Sequence, residues 1–600
     1  MTRKKKLASI FQFFIDKKNL HIEILSSREN YKQVFSYGVD TDFYSELEKK
    51  YKGNEPSVYD LIEQSIFVFD DETKKENGIA YTSKRVAKKM IQDSLSKAEN
   101  KERFYLFDPA VGSGIFLIAG IEELRRKNKG SVSSIIENNI FGIDLIEDNV
   151  LFVRLLLDIM CLEEGDKFPT KTNIAQFNSL ELSNDKLKQL FGISSVDSII
   201  CNPPYVRAKH LSDEIKRKIK TFETSFGVSD LYIPFFEIGI NLLKKGGVGN
   251  YITPNTFLRS LNGKNLRKYL REHSSNISIV NFDSEPLFDG IQNYFSITIF
   301  TKKVKPTDDV KFEHLDNNFL DSNEKWTEFI PGDEWRTLNT VDKEIIYNLE
   351  SNFETKIGDL AIQNGVATQR NNIYSFNALN EDDKYYYFTY KGTEEKIESG
   401  ITRPFVLPNT QTEYTNLRII FPYIYDKDTR KSTSITEEEF SSKFPFAYAY
   451  LNKHKEELDS RKHDKNMPNW FSYGRSQGIN QYGKRLYLPY MANKVKTRIS
   501  NSADEVFAAG YAIFDDSTEY LLRLAKILES DMFSYYLKMV SKPYSNNYYS
   551  TAKNMIKYFS LPSKDELLSI PISCMTENYV EELYGITKTQ QEWISRILAI

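Results

Sequence analysis

The chain has 600 residues, 40% of them hydrophobic and 27% charged, and its 80 basic and 83 acidic side chains leave a net charge of −3. This composition is typical of a globular protein of two or three domains, and the charge balance requires any nucleic-acid-binding surface to be a local basic patch. Three cysteines and six histidines, scattered along the chain, exclude a disulfide framework and a zinc cluster. We therefore predict no metal site and expect a reducing cytoplasm.

Residues 1–72 are predicted to form a mostly helical segment whose function the sequence does not reveal. Its basic start at residues 3–6 is followed by an apolar run at 7–15, which Gln12 interrupts, and by charged residues at 16–18. This pattern favours an amphipathic helix over a signal peptide. No apolar stretch is long enough to span a membrane, so no membrane partner is expected.

A glycine-rich turn at 108–114 follows a predicted strand at 104–107 and precedes an apolar helix that begins at Ile115. Glycines allow backbone N–H groups to approach a ligand closely, and the N-terminus of the helix faces the same place. The turn therefore predicts a ligand cradle. Two glycines alone are weak evidence, and the full dinucleotide pattern and the Walker lysine are both missing.

Further predicted strands also end in polar residues. The strand at 140–143 leads to Asp144, an acid placed to bind the hydroxyls of a ribose, although it could instead cap the next helix. The strand at 172–177 leads to Asn178, and three more strands are predicted at 248–253, 277–282 and 295–300. Together with the strand at 196–201, this pattern predicts a doubly wound, Rossmann-like α/β sheet of seven strands.

The strand at 196–201 runs directly into Asn202-Pro203-Pro204-Tyr205. Two consecutive prolines fix φ and stop the strand in a stiff elbow. The amide oxygen of Asn202 and a neighbouring carbonyl could accept both hydrogens of a planar amino group, while the Tyr205 ring stacks on the attached π-system. The alternative is an ordinary strand-to-loop turn.

The second half of the chain changes character after a polar, acidic stretch at 306–350, which we interpret as a linker. Residues 351–600 are predicted to form a mixed α+β domain, rich in strands to about residue 520 and largely helical afterwards. Clusters at 363–365, 368–372, 461–462 and 470–475 contain Arg, Asn and Gln, which read base edges, and aromatic residues, which stack on bases. Each cluster could also be a solvated loop.

The loop at 108–114, Asp144, Asn178 and Asn202-Pro203-Pro204-Tyr205, in this order and spacing, resemble the S-adenosylmethionine (SAM)-dependent DNA adenine-N6 methyltransferases. The order of cofactor loop, Asn-Pro-Pro-Tyr motif and recognition domain is similar to their γ class, which includes Taq-type type II modification enzymes and the methylase part of fused restriction–modification proteins. The resemblance implies a SAM methyltransferase domain at 73–305 and a C-terminal DNA target recognition domain at 351–600.

The resemblance also implies roles for individual residues. Asn178 stands where the family usually has Asp, and its amide oxygen can still accept from the cofactor adenine. The implied cofactor-binding residues are Tyr81, Thr82, Asp108, Pro109, Ala110, Gly112, Gly114, Asp144, Leu145, Asn178 and Phe235. The implied catalytic residues are Asn202, Pro203, Pro204 and Tyr205, with Tyr205 and Phe288 against the target base. The residues predicted to bind DNA are Arg207, Lys209, Arg370, Tyr473 and Arg475.

The function expected from this resemblance is methylation of adenine N6 in a specific double-stranded DNA sequence, with the base flipped out of the helix. We expect a cytoplasmic, nucleoid-associated bacterial monomer with double-stranded DNA as its partner. The sequence leaves open whether a separate restriction endonuclease is a further partner. Methylation of RNA or of protein glutamine remains an alternative, because both can use the same amine-gripping motif. A bifunctional restriction enzyme and a catalytically dead DNA-binding protein are the remaining alternatives.

Overall fold

The computed structural model describes residues 2–67, 82–98, 104–127, 130–282, 295–316, 327–328, 335–336, 338, 340–408, 416–426, 428–429, 431–465, 467–541 and 543–599. The chain divides into two compact units, Met1–Thr337 and Leu338–Ile600. The first unit is a mixed α/β structure around one large sheet. The second unit contains several small sheets and a helical C-terminal part.

The sheet of the first unit has nine strands among the described residues, in the order β3-β2-β1-β4-β5-β7-β6-β8-β9. The strands are β1 (Leu106–Asp108), β2 (Ile140–Asp144), β3 (Asn173–Gln176), β4 (Val196–Cys201), β5 (Leu243–Pro254), β6 (Ser274–Phe282), β7 (Phe295–Lys302), β8 (Lys311–Asp316) and β9 (Thr327–Glu328). Strands β1 to β5 are parallel to one another, and β7 is antiparallel to both β5 and β6. The predicted Rossmann-like α/β fold is confirmed.

Helices cover both faces of this sheet and form two cores with its buried side chains. The helices are α1 (Thr2–Lys17), α2 (Ile22–Leu25), α3 (Glu29–Phe35), α4 (Thr41–Lys50), α5 (Val58–Phe67), α6 (Lys84–Lys97), α7 (Ile115–Arg126), α8 (Val132–Asn138), α9 (Glu147–Glu163), α10 (Asn184–Phe191), α11 (Asp213–Ile219), α12 (Ile233–Leu242) and α13 (Lys264–His273). Strand β4 contributes to both cores, because Ile200 faces one and Ile199 and Cys201 face the other.

Two strands were not predicted from the sequence. Strand β8 pairs in parallel with β6, and β9 pairs with β8, at the edge of the sheet. Both lie in the range that was interpreted as a linker. The side chains of Phe312 and Leu315 are buried in β8, but the polar residues Glu313 and His314 between them hide the strand pattern in the sequence. The sheet therefore has nine described strands instead of seven.

The N-terminal helices are part of the first unit and not a separate layer. The apolar residues of α1 are buried in the same core as those of α7 and α9, and the ring of Phe11 lies 4.9 Å from that of Phe152. The carboxylate of Asp158 in α9, which is fully buried, accepts hydrogen bonds from Arg28 and Asn30. The predicted amphipathic helix is confirmed, and its apolar face explains why it packs here.

The second unit has small sheets in which most strands are short. Its strands are β10 (Thr355–Lys356), β11 (Ile362–Asn364), β12 (Ser375–Asn377), β13 (Asn380–Glu381), β14 (Tyr385–Tyr390), β15 (Thr393–Glu398), β16 (Thr402–Val406), β17 (Leu417–Ile420), β18 (Tyr423–Asp426), β19 (Lys431–Ser434), β20 (Arg485–Pro489), β21 (Met491–Ala492), β22 (Arg498–Ser500), β23 (Val506–Phe507), β24 (Gly510–Phe514), β25 (Pro543–Tyr544), β26 (Tyr548–Ser550) and β27 (Ser560–Leu561). The largest of its sheets have four strands, in the orders β11-β24-β20-β22 and β12-β17-β16-β23.

The helices of the second unit are concentrated after residue 517, as the sequence predicted. They are α14 (Thr340–Ser351), α15 (Asn371–Tyr374), α16 (Glu437–Lys443), α17 (Pro445–Lys453), α18 (Lys455–Asp459), α19 (Thr518–Leu528), α20 (Asp531–Val540), α21 (Lys553–Ile556), α22 (Lys564–Ser569), α23 (Glu577–Leu583) and α24 (Lys588–Ala599). Helix α14 packs in the core of this unit through Ile345, Ile346 and Leu349. Within the residues that the structure describes, none of the helices has the length and apolar character needed to cross a bilayer.

Candidate active site

The strand order places a ligand site at one edge of the large sheet. Strands β1 and β4 are adjacent and parallel, and the chain order reverses between them. In open α/β sheets, ligands bind beyond the carboxyl ends of the strands at this reversal. The carboxyl end of β1 leads into the glycine-rich loop, and that of β4 leads into Asn202. The two predicted motifs are thus neighbours because of the sheet topology.

The glycine-rich loop is held by hydrogen bonds to its own strand and to β2. Gly112 and Gly114 have φ angles of 54° and 83°, in the left-handed region that glycine adopts without strain. A Cβ atom on Gly114 would lie 2.9 Å from a methyl group of Val153. The N–H of Ala110 donates to Asp108, and the N–H of Gly112 donates to Asp144 Oδ2 at 2.8 Å. These bonds fix the loop against the ends of β1 and β2.

Asp144 is nearly buried at the end of β2, and its carboxylate accepts several hydrogen bonds from neighbouring residues. Its Oδ1 accepts from the N–H of Ile146 at 2.8 Å and from the side chain of Asn149 at 3.2 Å. Burial raises the pKa of this carboxyl, while the hydrogen bonds from Ile146, Gly112 and Asn149 act in the opposite direction. The same side chain therefore orders the loop and presents a carboxylate at its edge.

Asn202 at the end of β4 has its amide held on both sides. Its Nδ2 donates to the hydroxyl of Thr82 at 3.0 Å, and its Oδ1 lies within hydrogen-bond distance of the Tyr205 hydroxyl. The Tyr205 hydroxyl is also 2.7 Å from the carbonyl oxygen of Ile252 in β5, so its single proton serves one acceptor at a time. Thr82 therefore decides which way the Asn202 amide points, a contact that the sequence did not reveal.

A cavity of about 340 Å³ opens at this edge and joins the motifs. Ten of the predicted site residues line it, namely Thr82, Pro109, Ala110, Gly112, Asp144, Leu145, Asn178, Asn202, Pro204 and Phe235. The remaining wall is largely apolar and includes Phe116, Phe152, Leu180, Leu211 and Leu231. The structure thus brings the glycine-rich loop, the acid of β2 and the Asn-Pro-Pro elbow to one enclosed space.

Four predicted site residues lie behind this wall instead of on it. Asp108 is fully buried, Gly114 is the N-cap of α7, and Pro203 is buried in the elbow. Tyr205 is partly buried with its hydroxyl turned towards β5, and its ring lies 5.3 Å from that of Phe295. The predictions for Tyr81 and Phe288 fall outside the described residues.

The cavity also has residues that the sequence analysis missed. Arg3 and Leu7 of α1 and Ser65 and Ile66 of α5 line it, although the sequence assigned no function to residues 1–72. The available signal was the basic start of α1, which faces the acidic first turn of α9 after β2. His210 lines the cavity as well, in the basic loop that follows the elbow.

Two residues predicted to bind DNA follow the elbow. Arg207 and Lys209 are both exposed, on either side of the buried Ala208. The N–H of Ala208 donates to the side chain of Asp230 at 2.8 Å, which anchors this loop. The two cations are therefore free to reach solvent from a fixed backbone.

The structure brings the predicted DNA-binding clusters of the second unit together. The N–H of Gly474 donates to the carbonyl of Thr368, and that of Arg475 donates to the carbonyl of Ala367. Arg370 pairs with Glu457 at 3.3 Å, and Arg475 pairs with Asp464 at 2.7 Å. The clusters at 368–372 and 470–475 are thus one neighbourhood, which we call the arginine loop pair.

The prediction that Tyr473 contacts DNA requires a correction, because its side chain lies in the core. It is 2% exposed, its hydroxyl donates to the carbonyl of Ile420, and its ring contacts those of Tyr374 and Tyr423. Arg461, from another predicted cluster, is also buried and donates to backbone carbonyls of the same region. Both side chains are buried in the core on which the arginine loop pair packs, and they do not face solvent.

Comparisons with known proteins bear on this site. Residues 138–288 match the family described as Eco57I restriction-modification methylase. The chain is 28% identical over 389 residues to the type II restriction enzyme and methyltransferase RM.Eco57I of Escherichia coli, a match covering 57% of this chain and 38% of that protein. It is 25% identical over 462 residues to the type II methyltransferase M.BstVI of Geobacillus stearothermophilus, covering 70% and 78%.

The predicted resemblance to type II restriction–modification methylases is confirmed. The methylase family match includes β2, α9, β4 and the Asn-Pro-Pro-Tyr elbow, and the glycine-rich loop precedes it. A solved structure of the type IIL restriction-modification enzyme MmeI in complex with DNA has a similar fold, with a TM-score of 0.60 and 12% identity. That similarity covers 94% of this chain and 85% of the other.

Asp108 beneath the glycine-rich loop predicts a pH-dependent stability. Burial raises its pKa from 3.8 to about 8, and among the described residues nothing hydrogen-bonds its Oδ2. Between about pH 4 and 8 the folded state keeps a proton that the unfolded state releases, so the free energy of unfolding falls as the pH rises, by at most about 1.4 kcal/mol per unit.

Asp108→Asn should remove this slope, since the amide keeps the acceptor for the N–H of Ala110 and has no charge to bury. Chemical unfolding of the ligand-free protein between pH 5 and 8.5 measures it, with Asp185→Asn, at an exposed position in α10, as the control. Equal slopes in wild type and Asp108→Asn would contradict the assignment.

Proposed function

We propose that this chain transfers a methyl group from SAM to the N6 amino group of adenine in a specific sequence of double-stranded DNA. The observation that carries the proposal is the cavity in which Asn202 and Pro204 share a wall with the glycine-rich loop and Asp144. The similarity to type II methyltransferases supports a DNA methyltransferase that uses SAM. The choice of adenine rests on the chemistry of the Asn-Pro-Pro-Tyr elbow.

The cavity fits a cofactor with a nucleoside and a polar amino-acid end. The carboxylate of Asp144 would accept the ribose hydroxyls, and Leu145 and Phe235 would contact the adenine ring. The Oδ1 of Asn178 accepts from the N–H of Leu180 and its Nδ2 donates to Glu181 Oε1 at 3.2 Å, which leaves a second lone pair on Oδ1 for the cofactor. The loop around Gly112 would hold the methionine end. The cofactor supplies an electrophilic methyl group on a sulfonium.

The elbow would orient the target amine for attack. Asn202 Oδ1 and the carbonyl of Pro203 would accept the two amine hydrogens, which directs the nitrogen lone pair towards the methyl group. Thr82 assists by holding Asn202 Nδ2 at 3.0 Å, so the oxygen of the amide is the atom left for the substrate. Orientation and fixed dipoles of this kind provide most of the rate enhancement expected in such a site.

The target base must leave the duplex to reach the elbow, because its amine is enclosed in a base pair. In the proposal, Tyr205 and Phe288 stack on the flipped base. The Tyr205 ring is already held beside Phe295, so little side-chain entropy would be lost on stacking. Arg207 and Lys209, exposed next to the elbow, would bind the phosphates that flank it.

The second unit would supply the sequence specificity. A cofactor loop, then the elbow, then a recognition domain is the order of γ-class enzymes, and the second unit occupies the last place. Arg370 and Arg475 of the arginine loop pair are suited to bidentate contacts with guanine or phosphate. Solved structures of similar fold, MmeI and DrdV, were determined in complex with DNA.

Arg475→Ala tests this role. The Arg475 side chain is 44% exposed and pairs with Asp464 at the surface, so its loss should leave the fold intact. We expect DNA affinity to fall about 5- to 100-fold, the effect of losing one good arginine contact, with cofactor affinity unchanged. Fluorescence anisotropy with labelled duplexes and calorimetry with the cofactor measure the two affinities. A loss of cofactor affinity would contradict the division of roles.

The experiment that tests the proposed function is expression in a bacterial strain without adenine methylation, followed by single-molecule sequencing of plasmid DNA. We expect N6-methyladenine in one short sequence motif with the wild type and none with Asn202→Ala. Absence of modified adenine in both would contradict the proposal. Transfer of labelled methyl groups to RNA or to protein glutamine would then identify the alternative substrate.

The similarity to RM.Eco57I favours a second candidate, in which methylation is paired with DNA cleavage. The match covers 38% of that restriction enzyme and methyltransferase, so cleavage is tested separately. Unmodified plasmid incubated with the protein and Mg²⁺ should be cut if the same chain is a nuclease. An uncut plasmid in the presence of active methyl transfer would instead favour a separate endonuclease partner.

A further inference from the structure

The cofactor cavity has a wall that comes from the N-terminal helix. Arg3 and Leu7 line it next to Asn149 and Phe152 of α9. The Arg3 side chain is mostly buried, with 23% of its surface exposed to solvent. A basic side chain in this position is costly to bury unless it has partners, so its contacts indicate what it does.

The guanidinium of Arg3 connects α1 to the residues that hold Asp144. One nitrogen, Nη2, donates to Asn149 Oδ1 at 2.9 Å, and the other, Nη1, lies 3.3 Å from Asp148 Oδ2. Asn149 then donates through Nδ2 to Asp144 Oδ1 at 3.2 Å. Because Arg3 occupies the oxygen of the Asn149 amide, the amide can present only its NH₂ group to Asp144.

The charge of Arg3 acts on Asp144 as well. Burial raises the pKa of the Asp144 carboxyl, and the charge of Arg3 acts in the opposite direction. Burial lowers the pKa of the Arg3 guanidinium, and the charges of Asp148 and Asp144 oppose this shift. The titratable groups around Asp144 are thus Arg3 from α1, Asp148 from α9 and Asp108 from β1, and burial raises the pKa of Asp108 to about 8, so that it is protonated at neutral pH. A cation on this side favours the ionised carboxylate, which is the form that acts only as an acceptor and therefore suits a ribose hydroxyl as donor.

We propose that Arg3 is a positioning residue for the ribose site, acting through Asn149 on Asp144, and that α1 is therefore part of the cofactor site. The inference rests on the proposed function, since it assigns Asp144 to a ribose. It gives a role to a helix in which the sequence revealed none. Arg3 itself need not touch the ligand.

The test compares ligands with and without the ribose hydroxyls. S-adenosylhomocysteine and its 2′,3′-dideoxy analogue are titrated into the full chain by calorimetry, for wild type, Arg3→Met, Asp144→Asn and the double variant. We expect Arg3→Met to weaken the binding of S-adenosylhomocysteine about tenfold and the binding of the dideoxy analogue by less than twofold. In the Asp144→Asn background, Arg3→Met should have no further effect on S-adenosylhomocysteine.

Lys4→Met is the matched control. Lys4 is the next residue of α1 and also pairs with Asp148, at 3.4 Å, but it bonds Tyr37 and does not line the large cavity. We expect the Lys4→Met variant to bind both ligands with the affinity of the wild type. Thermal unfolding of both variants, and Arg3→Lys as a second change at the same position, separates a loss of folding from a loss of positioning.

Two results would overturn the inference. Equal weakening of both ligands by Arg3→Met would show a general structural role for Arg3, and unchanged affinity would show none. If the wild type itself binds neither ligand, the proposed function fails, and the inference fails with it. Intact wild-type binding with an unaffected Arg3→Met variant overturns the inference alone.

Discussion

Asn202→Ala should reduce methyl transfer by about 10²- to 10³-fold or more while cofactor binding stays within twofold of wild type. The alanine removes the acceptor that would hold the target amine, and no neighbouring side chain among the described residues replaces it. Thr82 contacts the other end of the amide, and Tyr205 offers a hydroxyl that also faces Ile252. The measurement is transfer of labelled methyl groups to duplex DNA at saturating cofactor, together with calorimetry.

Two further variants serve as controls for Asn202→Ala: one makes the same substitution away from the cavity, and the other changes a neighbour of Asn202. Asn138→Ala removes the same side chain from an exposed position at the end of α8, where its amide contacts only Ser134, and should leave transfer unchanged. Thr82→Val keeps the shape but removes the hydrogen bond that orients Asn202, so an intermediate loss is expected. Full activity of Asn202→Ala would contradict the proposed mechanism.

Asp144→Asn should weaken binding of S-adenosylhomocysteine by roughly a hundredfold, with a much smaller effect on the rate at saturating cofactor. Hydrogen bonds to a charged group contribute about 1.5–3 kcal/mol each, and a neutral amide loses the charge and one acceptor. The variant also disturbs the bond from Gly112 N–H to Oδ2, so the glycine-rich loop loses part of its anchor. Both effects increase the dissociation constant.

The measurement for Asp144→Asn is a calorimetric titration and a SAM saturation curve for methyl transfer. Asp185→Asn, the same change at an exposed position in α10, should behave as the wild type. A loss confined to the maximal rate, with an unchanged dissociation constant, would show that Asp144 serves the reaction step and not the cofactor.

Much of the site could be predicted because its signals are local. The strand at 196–201 and the prolines that stop it are adjacent in sequence, and the glycine-rich loop at 108–114 is bounded by its own strand and helix. Parallel order then implies that the carboxyl ends of these strands share one edge. The meeting of Asp144, Asn178 and Asn202 at one cavity follows from that rule alone.

Other features of the structure could not be predicted, because polar residues mask a strand pattern or because the sequence does not show which side chains are buried. Strand β8 resembles a linker in the sequence because two polar residues separate its two buried apolar ones. Tyr473 looked like a stacking residue, but aromatic residues serve cores and surfaces equally well, and only the packing of Tyr374 and Tyr423 around it decides between them. The direction of a side chain was the missing information.

The sequence by itself determined the class of this protein: a Rossmann-like sheet with a glycine-rich loop and an Asn-Pro-Pro-Tyr elbow, each encoded in a few consecutive residues whose backbone preferences are strong. The tertiary structure alone decided which distant side chains complete the site. Arg3 and Asn149 are 146 positions apart, and Thr82 and Asn202 are 120 apart, yet each pair is joined by one hydrogen bond. Such contacts depend on how helices pack on the sheet, which no local pattern specifies.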